Sequence, residues 1–175
     1  MGQITLIVGG CRSGKSAYAQ ELAGKFRKVL YIATACAGDA EMSERIKIHK
    51  KQRPAHWQTW EISSHLSEGL KKIDPVTQII LIDCLTLYLN NFILELSEKS
   101  ACQNKWQQEL SQILAVAKII PAAAIFVSNE VGQGIVPADS ISRLYRDLHG
   151  AMNQTVAKAA DCVYKMEVGI PLKIK

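Results

Sequence analysis

No C-x-x-C pair occurs in this sequence, and its five cysteines, Cys11, Cys36, Cys84, Cys102 and Cys162, are odd in number. Both facts argue against a disulfide framework or a zinc ribbon, and a reducing, cytoplasmic setting is expected. No His/Cys/Asp spacing marks a zinc site. No apolar run reaches the ~20 residues of a membrane-crossing helix. Met1 to Leu6 carries no basic stretch, and its apolar run is too short for a secretory signal, so none is expected. Leu6 stands where a myristoylation motif needs Ser or Thr. Internal repeats and low-complexity tracts are missing. Charge of one sign is not in large excess either: Lys+Arg is 21 and Asp+Glu is 16, a net charge of +5. That balance suits an anionic ligand such as a nucleotide and does not demand nucleic acid.

What remains is an ordinary globular composition, with 48% hydrophobic and 21% charged residues over 175 positions. It excludes a disordered tail, a collagen-like fibre and a coiled coil. At roughly 150 residues per domain, residues 1–175 are expected to form one domain. A chain of this size buries about 70% of its unfolded surface, so its core needs no staples. Apolar runs alternate with longer amphipathic stretches. Strands are predicted at Ile4 to Val8, Val29 to Ala33, Ile79 to Ile82 and Ala123 to Val127. Helices are predicted over Ser16 to Phe26, Glu41 to Lys51, Ser64 to Ile73, Leu85 to Leu96, Gln103 to Ile119 and Ser140 to Ala160. Arg53-Pro54 should close the second of these, because a residue before proline avoids helical backbone. Val163 to Ile174 reads as a terminal hairpin around Gly169. The alternation predicts an α/β fold: a mostly parallel sheet flanked by helices, with a C-terminal hairpin.

The strongest motif is Gly9-Gly10-Cys11-Arg12-Ser13-Gly14-Lys15-Ser16. It fits G-x-x-x-x-G-K-[ST] between a strand and a helix, the setting of a P-loop NTPase-type domain. Glycines let the backbone wrap phosphates with its N–H groups, and the following helix presents its positive end. Lys15 is expected on the outer phosphates and Ser16 on Mg²⁺. Cys11 is read as a small tolerated side chain or a reactive thiol. Asp83 ends its strand where a Mg²⁺-organising acid belongs. It could equally be a helix N-cap, and the two readings can coexist. The N-K-x-D guanine-reading motif is missing, since Asn104-Lys105 is followed by Trp106-Gln107. A compact transferase acting on a small molecule is therefore expected rather than a signalling GTPase.

Arg45, His49 and Arg53 recur every four residues, so Arg45 and His49 share a helix face. Cationic neighbours favour a neutral imidazole, which a nucleophile requires. On the residues alone, a solvated basic face is the simpler reading of this segment. His56, His65 and His149 read as surface or core histidines. The basic run Lys47 to Arg53, with Trp57 and Trp60 nearby, also raises a nucleic-acid-binding module, which is set aside for want of an aromatic platform. Asn129 and Glu130 follow a strand and either serve a ligand or cap a turn. Arg143 and Asp147 are spaced for an i,i+4 pair.

Taken together, these segments resemble one family. They are the phosphate loop, Tyr31-Ile32-Ala33-Thr34, the stretch Glu41-Met42 through Arg45-Ile46 and His49 to Arg53-Pro54, and Asp83-Cys84-Leu85-Thr86. Ser128-Asn129-Glu130-Val131-Gly132-Gln133-Gly134-Ile135-Val136-Pro137 and Arg146-Asp147 with Gly150, Asn153 and Gln154 belong to the same pattern. The family is the bifunctional adenosylcobinamide kinase / adenosylcobinamide-phosphate guanylyltransferase of cobalamin biosynthesis, and the resemblance covers nearly the whole chain. It implies phosphorylation of adenosylcobinamide by ATP or GTP. GMP then passes from GTP to adenosylcobinamide phosphate through a guanylyl-histidine, which here is His49. It also implies nucleotide contacts at Gly9 to Ser16 (Gly9, Gly10, Cys11, Arg12, Ser13, Gly14, Lys15 and Ser16), at Ala33, Thr34 and Ala35, at Lys50, Lys51, Gln52 and Arg53, and at Glu61 and Asp83. A homotrimer is implied too, and on the reading of the basic run above no nucleic-acid partner is expected. The alternative is a P-loop small-molecule kinase without nucleotidyl transfer.

Overall fold

Strands with water on one face alternate in polarity; Val29 to Ala33 and Ile79 to Ile82 do not, and such strands need cover on both faces. The computed structural model describes residues 2–51, 53–96 and 101–175, apart from the side chain of Arg45. Gln52, an expected nucleotide contact, lies outside the described residues.

The elements in chain order are β1 Ile4–Gly9, α1 Lys15–Ala23, β2 Val29–Ala33, α2 Ala40–Lys51, β3 Gln58–Glu61, α3 Leu66–Leu70, β4 Ile79–Asp83, α4 Leu85–Glu95, α5 Cys102–Ile119, β5 Ala123–Asn129, α6 Ser140–Ala159, β6 Cys162–Glu167 and β7 Ile170–Lys173. The sheet runs β3-β2-β4-β5-β1-β6-β7. Every pairing from β3 to β6 is parallel, and only β6–β7 is antiparallel. All six parallel strands therefore finish at one edge, where an open α/β sheet receives its ligands.

Successive side chains of a strand point to opposite faces, and here both faces are dry. Leu6, Leu30, Ile80, Ile82 and Phe126 pack with Leu85, Tyr88, Trp106, Leu110 and Met152 under α3 to α6. Ile7, Tyr31, Leu81, Ile125 and Val127 pack with Ala19 and Ala23 of α1 and with Trp57. The two alanines of α1 let that helix lie close to the strands, which holds its first turn at the end of β1.

Several expectations shift in detail. The third helix is shorter, Leu66–Leu70, and its start is set by His65, which adopts left-handed backbone (φ 53°) in front of it. Strand β3 was not expected: Gln58–Glu61 is short and largely polar, and it becomes a strand only by pairing beside β2. The terminal hairpin forms as predicted, with Val168 (φ 45°) and Gly169 (φ 88°) as its two-residue turn. Trp57 is buried and Trp60 packs on the core, so neither ring offers a stacking platform. Arg143 and Asp147 do not pair. Arg143 donates to the carbonyls of Pro137 (3.0 Å) and Ala138 (2.6 Å), which lie just before its helix, and Asp147 takes Arg146 instead (3.2 Å).

Candidate active site

β1 runs into the glycine loop at Gly9, and a side chain there has no room. A Cβ at Gly9 would lie 2.7 Å from the Met166 carbonyl and 2.8 Å from Ser13 Oγ, in backbone of φ 155°. Arg12 (φ 55°) and Gly14 (φ 96°) bend the loop back. Gly14 is the N-cap of α1 and supplies no side-chain cap, so the first amides of that helix lack a side-chain acceptor. Together with the helix dipole they form an anion seat. Nothing lies within 4 Å of a Cβ placed on Gly10, so that face of the loop is open. Two backbone bonds brace it: Gly169 N–H donates to Ser13 O (3.1 Å), and Glu130 N–H donates to Gly9 O (3.1 Å).

Lys15 is buried and folds back on the loop, donating through Nζ to Gly10 O (2.5 Å) and Ser13 Oγ (3.4 Å). Burial holds its ammonium below the ordinary lysine range, while the charges of Asp83 and Glu130 are among those opposing the shift. A cation in this state gains strongly from an arriving phosphate.

Asp83 ends β4, two strands from β1, or about 10 Å across the sheet. Tyr31 donates its hydroxyl to Asp83 Oδ2 at 2.7 Å. Burial, then the neighbouring Asp83 charge, pushes the phenol far above its usual range, so it remains a donor. Among the described residues no hydrogen bond is made to the other carboxylate oxygen. The N-cap reading of Asp83 fails: the N-cap of α4 is Cys84, with no side-chain bond. Ser16 and Asp83 thus offer one hydroxyl and one carboxylate, hard oxygen donors that suit Mg²⁺ completed by phosphate oxygens and water. Among the described residues no group of three metal-ligating side chains forms an all-protein cage.

Thr34 is a tie between strand ends. Its hydroxyl donates to Cys84 O (2.7 Å) and accepts from Cys84 N–H (2.8 Å), and its carbonyl accepts from Asn91 (2.8 Å). Ala33 is buried beside it, and Ala35 is half-buried at the edge. Arg53 stacks over Tyr31, 3.9 Å from the ring centre, with its buried Nε unpaired. The structure therefore brings Arg53, Tyr31 and Asp83 together.

His49 stands elsewhere. Helix α2 is capped by Asp39, which accepts from Met42 N–H at 2.7 Å. None of its described side chains is buried. His49 is exposed on the last turn, and the next residue, Lys50, bonds to Glu61 at 2.9 Å. That bond holds the Glu61 carboxyl below its usual range. It also places the last turn of α2 at the end of β3, four strands from β1 or about 19 Å across the sheet. Lys51 is exposed alongside.

One group of residues behind the edge was not legible in the sequence. Asn129 N–H donates to Thr86 Oγ1 (2.8 Å), and its carbonyl accepts from Asn153 Nδ2 (2.9 Å). Ser128 donates to Asn153 Oδ1 (2.6 Å). Buried His149 sets Nε2 3.2 Å from Thr86 Oγ1 and 3.4 Å from Ser128 Oγ. Burial pushes its pKa down to about 4, so it is a neutral core histidine. The only signal was Asn153 in the motif after Arg146; its partners are 24 and 25 residues away. Two hollows flank the loop that follows Asn129. A cavity of about 330 Å³ lies between the glycine loop and the terminal hairpin, lined by Gly10, Arg12, Glu130, Gln133 and Lys165 among others. An open groove of about 560 Å³ lies between Gly132–Val136 and α6, where Arg146, Asp147 and Gln154 line it.

A family model described as cobinamide kinase / cobinamide phosphate guanyltransferase matches residues 5–174. The bifunctional adenosylcobalamin biosynthesis protein CobU of Salmonella typhimurium is 39% identical over 97% of this chain and 98% of its own length. CobU of Escherichia coli is 36% identical over the same shares. The bifunctional adenosylcobalamin biosynthesis protein CobP of Pseudomonas aeruginosa is 39% identical over 97% of this chain and 96% of its own. Among solved structures, the RadB recombinase superposes with a TM-score of 0.54 at 15% identity, covering 94% of this chain and 74% of that one. At that identity the likeness concerns the fold alone.

Proposed function

The chain belongs to the cobinamide kinase / cobinamide phosphate guanyltransferase family, and from that premise we propose how its residues divide the work of a bifunctional enzyme of adenosylcobalamin biosynthesis. The first reaction moves the γ-phosphoryl group of ATP or GTP to the aminopropanol hydroxyl of adenosylcobinamide. The second moves GMP from GTP to the resulting phosphate and releases pyrophosphate. The observation that carries this reading is the open glycine loop with buried Lys15, set on the same sheet edge as Asp83.

In both reactions the loop amides and Lys15 hold the phosphates and stabilise charge that grows on the phosphoryl oxygens. Ser16 and Asp83 hold Mg²⁺, which when bound neutralises phosphate charge. Tyr31 keeps Asp83 oriented through its hydroxyl. Arg53, Ala35, Lys50, Lys51 and Glu61 complete the nucleotide side. In the second reaction a neutral nitrogen of His49 attacks the α-phosphorus, and the bond to the pyrophosphate oxygen breaks. The substrate phosphate then displaces the histidine. His49 must reach the nucleotide for this, so the reading requires α2 to move toward the glycine loop. No described side chain of α2 is buried. Its Lys50–Glu61 tie is exposed, and such pairs contribute about 0–1 kcal/mol.

The active form is a cytoplasmic homotrimer. Five free thiols suit a reducing compartment, and the exposed Ile170, Leu172 and Ile174 near the carboxyl end supply apolar surface for a subunit contact. A kinase alone is the second reading, favoured by the distance of His49 from the loop. GTP labelled at the α- or γ-phosphate decides between them. Acid-labile label on the protein from the α-position only, lost in His49→Ala, is the expected outcome. A folded, GTP-binding protein that takes up no α-label leaves the kinase alone.

A further inference from the structure

Phosphorylating an alcohol requires a group that takes the hydroxyl proton, and the carboxylates at this edge are nearly all engaged. Asp83 accepts from Tyr31, Glu61 from Lys50 and Glu167 from Lys165. Glu130 differs. Among the described residues its carboxylate has no hydrogen-bond or ion-pair partner, and the residue is half-buried. Its own amide is bonded to Gly9 O, so it is rooted at the start of the glycine loop. Glu130 lines the cavity that Gly10, Arg12 and Ser13 also line. Its negative charge reaches Lys15. The residue before it, Asn129, is pinned through both backbone polar groups by Thr86 and Asn153. The chain therefore enters this loop from a fixed point. A few residues on, the same loop forms one wall of the larger open groove. An acceptor too large for the small cavity can rest in that groove and extend an arm past Glu130 to the phosphates.

We propose, on the bifunctional reading above, that Glu130 is the general base of the kinase reaction. As the acceptor oxygen bonds to the γ-phosphorus, its proton passes to the Glu130 carboxylate. The bond from the γ-phosphorus to the β,γ-bridging oxygen breaks, and that electron pair leaves with the nucleoside diphosphate. The proton then escapes to water. The guanylyl transfer makes no such demand, because its acceptor is a phosphate that is already anionic and its nucleophile is a neutral imidazole. Glu130 therefore serves one half of the enzyme only.

The test compares wild type, Glu130→Gln and Glu130→Asp with Mg²⁺ and labelled GTP. Three rates are read: γ-label into cobinamide, α-label onto the protein, and α-label into cobinamide phosphate made beforehand with the wild-type enzyme. Glu130→Gln is expected to lower the first rate by about 10²–10⁴-fold. It should lower the other two far less than the first, and Glu130→Asp should retain part of the first. A Glu130→Gln enzyme that phosphorylates cobinamide at a near wild-type rate overturns the proposal. So does one that loses all three rates together, which marks a structural role. Failure of the wild type itself to label cobinamide or protein strikes the bifunctional reading instead, and this assignment falls with it.

Discussion

Replacing His149 by glutamine should remove a pH dependence from the stability of the fold. The imidazole is buried under α6 with Nε2 facing the hydroxyls of Thr86 and Ser128. Thr86 Oγ1 already accepts from Asn129 N–H, and Ser128 Oγ donates to Asn153. Nε2 therefore sits within hydrogen-bonding distance of two hydroxyls whose own bonds to Asn129 and Asn153 fix them in place. A second ring proton would bury a charge. The folded pKa is pushed down to about 4, against 6.5 for an ordinary histidine. Below the ordinary value the unfolded chain binds a proton that the folded one does not, so stability falls as pH drops. The loss begins near the unfolded pKa and levels off below the folded one. At about pH 5 it amounts to about 2 kcal/mol, and its ceiling is about 3 kcal/mol. For a domain of this size 2 kcal/mol lowers Tm by about 4–8 °C. Urea unfolding of wild type and His149→Gln, run from neutral pH down to about pH 5, reads the difference directly. The wild-type curve should fall toward the variant's as pH drops. Curves that stay parallel over that interval would refute the claim that His149 is buried and neutral.

Two further outcomes follow from local geometry. Val168 is β-branched yet sits at φ 45° in the hairpin turn, a conformation that suits asparagine or glycine better. Val168→Asn should stabilise the protein by about 1 kcal/mol, raising Tm by about 2–4 °C, and an unchanged melting point means the turn is not strained. Tyr31→Phe removes a buried donor to Asp83 and should cost about 1.5–3 kcal/mol in urea unfolding. A neutral result there would show that the carboxylate does not depend on that hydroxyl.

How much was legible depended on the range of the interactions involved. The strands β1, β2, β4 and β5 and the phosphate loop are written in contiguous residues. Two-sided burial needs unbroken apolar runs, and phosphate wrapping needs glycines at fixed local offsets. Strand β3 carries no such signature, because Gln58 and Glu61 lie at an exposed edge and the strand exists only through its register with β2. The resemblance implies a nucleotide contact at Thr34, and the fold adds what no local pattern shows: its hydroxyl closes a tie to Cys84, 50 residues away. Asn153 had no assignable role until the fold put it under Asn129.

By itself the sequence determined the α/β class, the position of the anion seat and the family, since each rests on local pattern or ordered motifs. Only the tertiary structure decided which of the carboxylates at the sheet edge are engaged among the described residues. Asp83, Glu61 and Glu167 each find a partner, and Glu130 stands against the glycine loop without one. Pairing of that kind depends on distances of a few ångströms between residues far apart in the chain, and those distances are set by strand order and helix packing.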